Sequence, residues 1–315
     1  MLREKAMRKI LMTTLCLFVF LVASILSSFK NDSDSVVSAV TLSDPIYQTV
    51  YLLDNEERLV RYQIEIAEDT IEERVHKILD AMRVESTVTI PAFFHKFIPT
   101  DTSLLDYHVT GTTMTLNLSS ALLTGSSYLE EVIVEALTYS VTSIPGIDGL
   151  TLQVEGVGVT SLPQTKIMIP EVLTKEYGIN KDFDFTSLMG VMKVTTYYYE
   201  TLDDINYYVP VTKYINNDKD KIKVIIENLS SSYIHEPNLS SYLSEATELL
   251  DYRMSNDVMI LNFNEAIFDA NQKILEEIVY SVAGSVFANY DASAVVFQVN
   301  GHDFLTKSKK DIENY

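Results

Sequence analysis

The sequence predicts an α+β protein in which two small modules of one fold follow an N-terminal transmembrane helix. Three observations predict this class. An uncharged apolar segment begins at Ile10 and ends at Phe29, four short motifs recur in the same order about 145 positions apart, and strand and helix periodicities alternate within each recurrence. The length of 315 residues fits about two domains after a leader.

The segment from Ile10 to Phe29 is twenty residues long, enough at ~1.5 Å per residue to cross a ~30 Å hydrocarbon core. Four basic residues precede it and acidic residues follow it, so the positive-inside rule places residues 1–9 in the cytoplasm. We expect a single-pass protein of the cell membrane with its C-terminal bulk outside the cytoplasm. Cleavage near residues 23–28 and lipidation of Cys16 are the alternatives to this retained anchor.

Charge and cysteine content exclude several functional classes. Residues 31–315 carry 19 basic and 43 acidic residues, a formal charge of −24, which repels the phosphates of nucleic acids. Cys16 is the only cysteine, so the chain after the apolar segment has no disulfide, thiolate metal site or cysteine nucleophile.

An internal repeat organises the rest of the chain. The paired motifs are LLDY at 104–107 and 249–252, LNL at 116–118 with LNF at 261–263, EEVI at 130–133 with EEIV at 276–279, and LQVEG at 152–156 with FQVNG at 297–301. They predict a first repeat at residues 46–157 and a second at 195–302. The remaining parts are a cytoplasmic tip with the anchor at 1–30, a tether at 31–45, an inter-domain segment at 158–194 and a polar tail at 303–315.

Periodicity predicts the order ββαββαβ in each repeat, with two helices packed on one face of a small mixed sheet. In the first repeat, Thr70 with Glu73 and Ser127 with Glu130 are typical of capping boxes that begin the two helices. In the second repeat, we expect the helices near residues 220–229 and 271–288.

The stretch from the LNL strand through residues 130–133, Ile144-Pro145-Gly146-Ile147 and the LQVEG strand resembles the GerM domain of bacterial sporulation and spore-germination proteins. The second repeat resembles it too, and so does the joining segment at residues 170–180. The resemblance implies a tandem, membrane-anchored, non-enzymatic envelope protein. It also implies envelope or sporulation-complex proteins as partners, with homo-oligomers or rings of related domains as one possible assembly.

No residue is predicted to be catalytic, metal-binding or cofactor-binding. Glu130 and Glu131, like Glu276 and Glu277, are adjacent, so on a helix their side chains point ~100° apart and do not form an acid–base pair. The five histidines lack metal-ligand spacing, and no phosphate loop or nucleophile motif occurs. The sequence therefore predicts a protein that is not an enzyme.

Tyrosine usage is unusual, with 19 Tyr and no Trp. Tyr197, Tyr199 and Tyr207 are candidate interface residues, because alternate residues of a strand face opposite sides and one side should stay exposed. Exposed rings would bind a partner protein or stack on envelope sugars. The alternative is that they are ordinary half-buried strand residues.

The leading functional hypothesis is a membrane-anchored scaffold outside the cytoplasm that mediates protein–protein assembly in the cell envelope, in sporulation or germination. The alternatives are an envelope protein that binds peptidoglycan or a small ligand, and a hydrolase whose residues escape recognition in the sequence.

Overall fold

The computed structural model describes residues 45–203, 205–231 and 239–313. The predicted anchor, with Ile10, Cys16 and Phe29, and all of the tether except Pro45 lie outside the described residues. Among the described residues, none of the helices has the length and apolar character needed to cross a membrane. Those residues belong to one compact unit, Pro45–Tyr315.

The first repeat contains two strands, a helix, two strands, a second helix and two further strands. Their bounds are β1 (Ile46–Leu53), β2 (Leu59–Ile66), α1 (Ile71–Met82), β3 (Leu104–Thr110), β4 (Thr113–Leu118), α2 (Ser127–Val141), β5 (Gly149–Val154) and β6 (Val157–Gly158). The segment that joins the repeats contains a short 3-10 helix at Lys175–Tyr177 and the strand β7 (Lys181–Asp184).

The second repeat has the same order of elements, with one additional short helix after its last strand. Their bounds are β8 (Val191–Leu202), β9 (Ile205–Asn216), α3 (Lys221–Ser230), β10 (Leu249–Ser255), β11 (Val258–Phe263), α4 (Glu276–Asn289), β12 (Ala294–Val299), β13 (His302–Ser308) and α5 (Lys309–Glu313). The mixed α+β class and the duplicated order are therefore confirmed, with one more strand per repeat than predicted.

The first hairpins of both repeats join in one sheet of five strands. Its order is β1-β2-β9-β7, and β8 pairs with β9 on the other side. The strands β2 and β9 meet through Arg61 and Tyr208, while β7 runs parallel to the second half of β9. The prediction of one self-contained sheet in each repeat is wrong, because the open edges of the two hairpins pair with each other.

A local pseudo-two-fold relates the two repeats within this shared sheet. Tyr51 and Tyr197, 146 positions apart, face each other across it through their hydroxyl groups. The Ser140 hydroxyl accepts the amide proton of Tyr51 at 3.0 Å, and the Ser285 hydroxyl accepts that of Tyr197 at 2.8 Å. Each serine lies on the second helix of its repeat, so both helices are fixed to the shared sheet in the same way.

Each repeat also has an outer sheet of four strands, in the orders β3-β4-β5-β6 and β10-β11-β12-β13. The two middle strands of each run parallel and the outer pairs are antiparallel. A parallel pair needs a crossover, and α2 and α4 supply it. Since α2 packs on both β1 and β5, it joins the shared sheet to the outer sheet of the first repeat.

The predicted polar tail at residues 303–315 instead forms a strand and a short helix in its described part, residues 303–313. Asn300 and Gly301 both have positive φ, 50° and 82°, and form the tight turn that leads into β13. The short helix α5 follows and buries Ile312. The Glu313 carbonyl accepts a hydrogen bond from Gln63 at 2.7 Å, so the end of α5 is fixed to β2.

The predicted helix starts are right for α1 and α3 and wrong for α2 and α4. The Thr70 hydroxyl accepts the Glu73 amide proton at 3.2 Å, as a capping residue does. Ser126, not Ser127, is the cap of α2, and its side chain makes no capping bond. In the second repeat, α4 begins at Glu276, five residues after the predicted start.

Candidate functional site

The three candidate interface tyrosines are buried. Tyr197, Tyr199 and Tyr207 are only 7%, 4% and 3% exposed, so the expected exposed aromatic face on β8 is wrong. The reason is that α3 and α4 pack on β8 and β9 covers its inner edge. These rings belong to the core and to the contact between the repeats, and they are more deeply buried than the half-buried strand residues of the alternative.

The three rings have different neighbours. Tyr197 packs on Gly284, where an added Cβ would lie 3.3 Å from its ring. The ring of Tyr199 lies 5.1 Å from that of Tyr242, and the ring of Tyr207 lies 5.3 Å from that of Phe94 in the first repeat.

A buried ion-pair cluster also joins the repeats. Arg58, after the first turn, donates through Nε and Nη2 to Asp54 Oδ2 at 2.9 and 2.7 Å. Its Nη2 also contacts the carboxylate of Glu200 on β8. Burial raises the pKa of Glu200, although the Arg58 guanidinium acts in the opposite direction. The cluster therefore fixes the hairpin of one repeat to the hairpin of the other.

The accessible feature with the character of a binding site is a depression of about 550 Å³ beside β7, here called the β7 groove. Residues of the joining segment, of β7, of β9 and of α2 line it. They are Glu131, Ile167, Met168, Pro170, Val172, Thr174, Glu176, Tyr177, Lys181, Phe183 and Tyr214. Phe183 and Tyr214 stack with ring centres 4.9 Å apart.

A charged cluster lies at the inner end of the β7 groove. The Lys181 ammonium is 2.7 Å from Glu131 Oε1, 3.3 Å from Glu135 Oε1 and 3.3 Å from the centre of the Tyr177 ring. Burial raises the pKa of Glu135 to about 7, against the opposing effects of Lys181 and of the Asn180 amide. The cluster ties α2 of the first repeat to β7, which belongs to the shared sheet.

Glu130, considered beside Glu131, has a structural role. Its carboxylate is buried and accepts the backbone amide protons of Gln164 and Thr165, at 2.9 and 2.8 Å. Burial raises the pKa of Glu130, but these hydrogen bonds outweigh it and hold the pKa below its ordinary value. Glu130 therefore fixes the loop that leads to the β7 groove.

Sequence reasoning missed the β7 groove. Among the lining residues, only Glu131 was considered for chemistry, because most of the others lie in the joining segment, which has little strand or helix periodicity. The available signal was the apolar residues at 167–170 and 172–173, in a segment interpreted as a linker. Within the described part of the chain, no group of three His, Asp or Glu side chains is arranged to hold a metal ion.

Two similar regions of the chain match one family model. The model described as "Germane: Sporulation and spore germination" matches residues 49–160 and 195–304, more than half of the chain. The chain belongs to the Germane family. The resemblance to the GerM domain is thereby confirmed for both repeats.

The chain is similar to named proteins in sequence and in structure. The chain is 26% identical over 290 residues to the spore germination protein GerM of Bacillus subtilis (strain 168), covering 89% of this chain and 78% of that protein. The solved tandem GerMN domains of GerM from Bacillus subtilis are similar with a TM-score of 0.74 and 24% identity, over 82% of this chain and 92% of theirs. The solved first GerMN domain alone covers 42% of this chain and 98% of its own, with a TM-score of 0.39 and 19% identity.

Proposed function

We propose that this Germane protein is a membrane-anchored scaffold outside the cytoplasm that binds other envelope proteins during sporulation or germination. The β7 groove carries the proposal, because it combines exposed apolar side chains with a rigid floor. Fusion of the two repeats through a shared sheet supports it further, since a rigid body presents its binding surface in one orientation.

The sequence supports the membrane part of the proposal. The uncharged segment from Ile10 to Phe29 has the length of a transmembrane helix, and its flanks have opposite charge. Protease added to intact protoplasts should digest the repeats. Complete protection would reject the orientation, and a mature N-terminus near residues 24–30 would reject the retained anchor.

The binding part of the proposal is tested by crosslinking in the source cells. The full chain should crosslink to defined envelope proteins, and substitution of residues in the β7 groove should reduce the yield. A chain that forms no specific crosslink in sporulating or germinating cells would reject the scaffold role.

A second candidate function is binding of cell-wall sugars. The stacked rings of Phe183 and Tyr214 favour it, because sugar rings pack on exposed aromatic faces. Sedimentation of the full chain with purified peptidoglycan separates the two functions. Retention that is lost on Phe183→Ala would favour the wall-binding role over the scaffold.

A further inference from the structure

We infer that the β7 groove binds an extended segment of a partner protein that carries a basic side chain next to an apolar one. This inference rests on the proposed binding function and specifies the chemistry of the partner. It follows from the apolar rim of the groove, its accessible charge and the free edge of β7.

The rim of the β7 groove is apolar and exposed. Met168 is 72% exposed, Phe183 is 62% exposed and Val172 is 43% exposed. Clustered apolar side chains of this size on a soluble surface mark an interaction site. The second depression, of about 470 Å³, has a more polar lining that includes Gln63, Glu65, Lys77 and two threonines. An apolar side chain of a partner would therefore bind in the β7 groove and not in this second depression.

The ring of Phe183 is held in place although it is exposed. It stacks on Tyr214 and meets the edge of Phe185 at 6.3 Å between ring centres. A fixed aromatic ring loses little conformational entropy when a partner covers it. Its face also attracts a cation, which adds to any attraction by neighbouring carboxylates.

The accessible charge of the β7 groove is negative. The Glu176 side chain is 77% exposed, and Glu131 is also partly exposed, whereas Lys181 is largely buried between Glu131 and Glu135. Because the whole chain carries a formal charge of −20, long-range attraction also favours a cationic segment. A lysine or arginine of the partner would pair with Glu176, which Lys193 contacts from one side.

The edge of β7 favours an extended partner. Among the described strands, β7 pairs only with β9. The Thr212 amide donates to the Ile179 carbonyl at 2.9 Å, so the even-numbered residues of β9 face β7. In the register that pairs Phe183 with Tyr214, the alternation of a parallel ladder then directs the amide and carbonyl of Phe183 away from β9. An extended segment can bond to these groups while its side chains reach the groove.

Fluorescence anisotropy of labelled decapeptides tests the inference on the full chain in detergent. One peptide alternates Lys and Val, a second replaces Lys by Glu, and a third replaces Val by Ser. We expect binding of the Lys/Val peptide, at least tenfold weaker binding of the other two, and loss of affinity with added salt. Equal binding of the Glu/Val peptide, or no binding of the Lys/Val peptide, would overturn the inference.

Variants locate the site. Phe183→Ser should weaken binding of the Lys/Val peptide at least tenfold, and Glu176→Gln should weaken it several-fold and reduce the salt dependence. The matched control is Val157→Ser, since Val157 is 69% exposed on β6 outside the groove lining. Unchanged affinity in Phe183→Ser, or an equal loss in the control, would refute the assignment.

Hydrogen exchange gives a measurement that needs no substitution. Bound peptide should slow exchange of the Phe183 amide, and unchanged exchange there would count against strand pairing. Self-association of the chain that Phe183→Ser abolishes, without peptide binding, would assign the groove to a second copy and overturn the inference. If the peptides do not bind but the unsubstituted chain crosslinks to envelope proteins and Phe183→Ser reduces the yield, only this inference fails. If the unsubstituted chain also forms no specific crosslink, the scaffold proposal fails too.

Discussion

The hydroxyl groups of Tyr51 and Tyr197 lie 3.3 Å apart, although the two residues occupy the same position in different repeats. Both rings are buried, and burial raises the pKa of both hydroxyls. Both groups are therefore protonated at neutral pH, and one donates to the other. The contact joins the repeats at the pseudo-two-fold through the same residue from each side.

Truncation of Tyr197 should destabilise the protein. Tyr197→Phe removes one buried hydrogen bond and should lower the free energy of unfolding by about 1 kcal/mol. Tyr197→Ala removes the ring as well and should cost about 3–5 kcal/mol. Urea denaturation followed by circular dichroism measures both. Tyr242→Ala, at a half-exposed ring, is the control and should lower the free energy of unfolding much less. If Tyr197→Ala is as stable as this control, the ring of Tyr197 is not part of the core.

The two equivalent serines should contribute similar stability. Ser140→Ala and Ser285→Ala each leave a buried strand amide without its acceptor, which costs about 1–3 kcal/mol. Ser126→Ala is the matched control, because the Ser126 side chain makes no capping bond. Thermal unfolding of the three variants compares them. The pseudo-two-fold equivalence would be contradicted if only one of the two buried serines mattered.

Removal of Arg58 should have a large effect. Arg58→Ala leaves the buried carboxylates of Asp54 and Glu200 without their counter-ion, and breaking a buried pair in this way costs about 3–5 kcal/mol. Lys219→Ala breaks an exposed pair with Glu227 and should cost about 0–1 kcal/mol. Chemical denaturation at pH 7 measures the difference. Similar midpoints for the two variants would mean that the buried cluster does not join the repeats.

Stability should depend on pH through Glu135. Its pKa is about 7 in the folded chain against the ordinary 4.5, so folding favours the protonated form. This contribution to stability is complete below about pH 4.5 and is lost as the pH rises through 7. At about 1.36 kcal/mol per pKa unit, it amounts to roughly 3 kcal/mol. Lys181, Glu131 and Tyr177 lie beside the same carboxylate.

Glu135→Gln isolates that effect. The free energy of unfolding of the variant, measured from pH 4 to 8, should fall less with rising pH than that of the unsubstituted chain. Glu171→Gln, at an exposed residue outside the cluster, is the control and should follow the unsubstituted chain. Parallel curves for Glu135→Gln and the unsubstituted chain would exclude Glu135 as the titrating group.

Local patterns predicted the elements that depend on local interactions. The apolar stripe and the Thr70 cap locate α1 because both act within one helix. The shared sheet was not predictable in the same way. The residue pattern of β2 predicts a strand, but it does not show which strand pairs with its edge. The pairing of Arg61 with Tyr208 joins residues far apart in the chain, and only the folded core selects that register.

The candidate site was less predictable than the fold. Tyr197 and Tyr199 have the residue type of an interface, but helices of their own repeat cover them. By contrast, Met168 and Phe183 lie in segments with little periodicity, so their exposure depends on where β7 joins the sheet. The Asn300-Gly301 turn was a readable signal for β13, and it was missed because the repeat was taken to end there.

The pseudo-two-fold gives the tandem chain the geometry of a homodimer closed within one polypeptide, as duplication and fusion of an ancestral gene would produce. Covalent linkage makes the association intramolecular, so it does not weaken on dilution as a dimer of separate subunits would. Fusion also frees the two halves from having to remain identical. Tyr139 packs on Tyr51, and at the matching position of the second repeat Gly284 packs on Tyr197. The two repeats therefore differ by a whole aromatic ring at this position, while the contact between Tyr51 and Tyr197 remains.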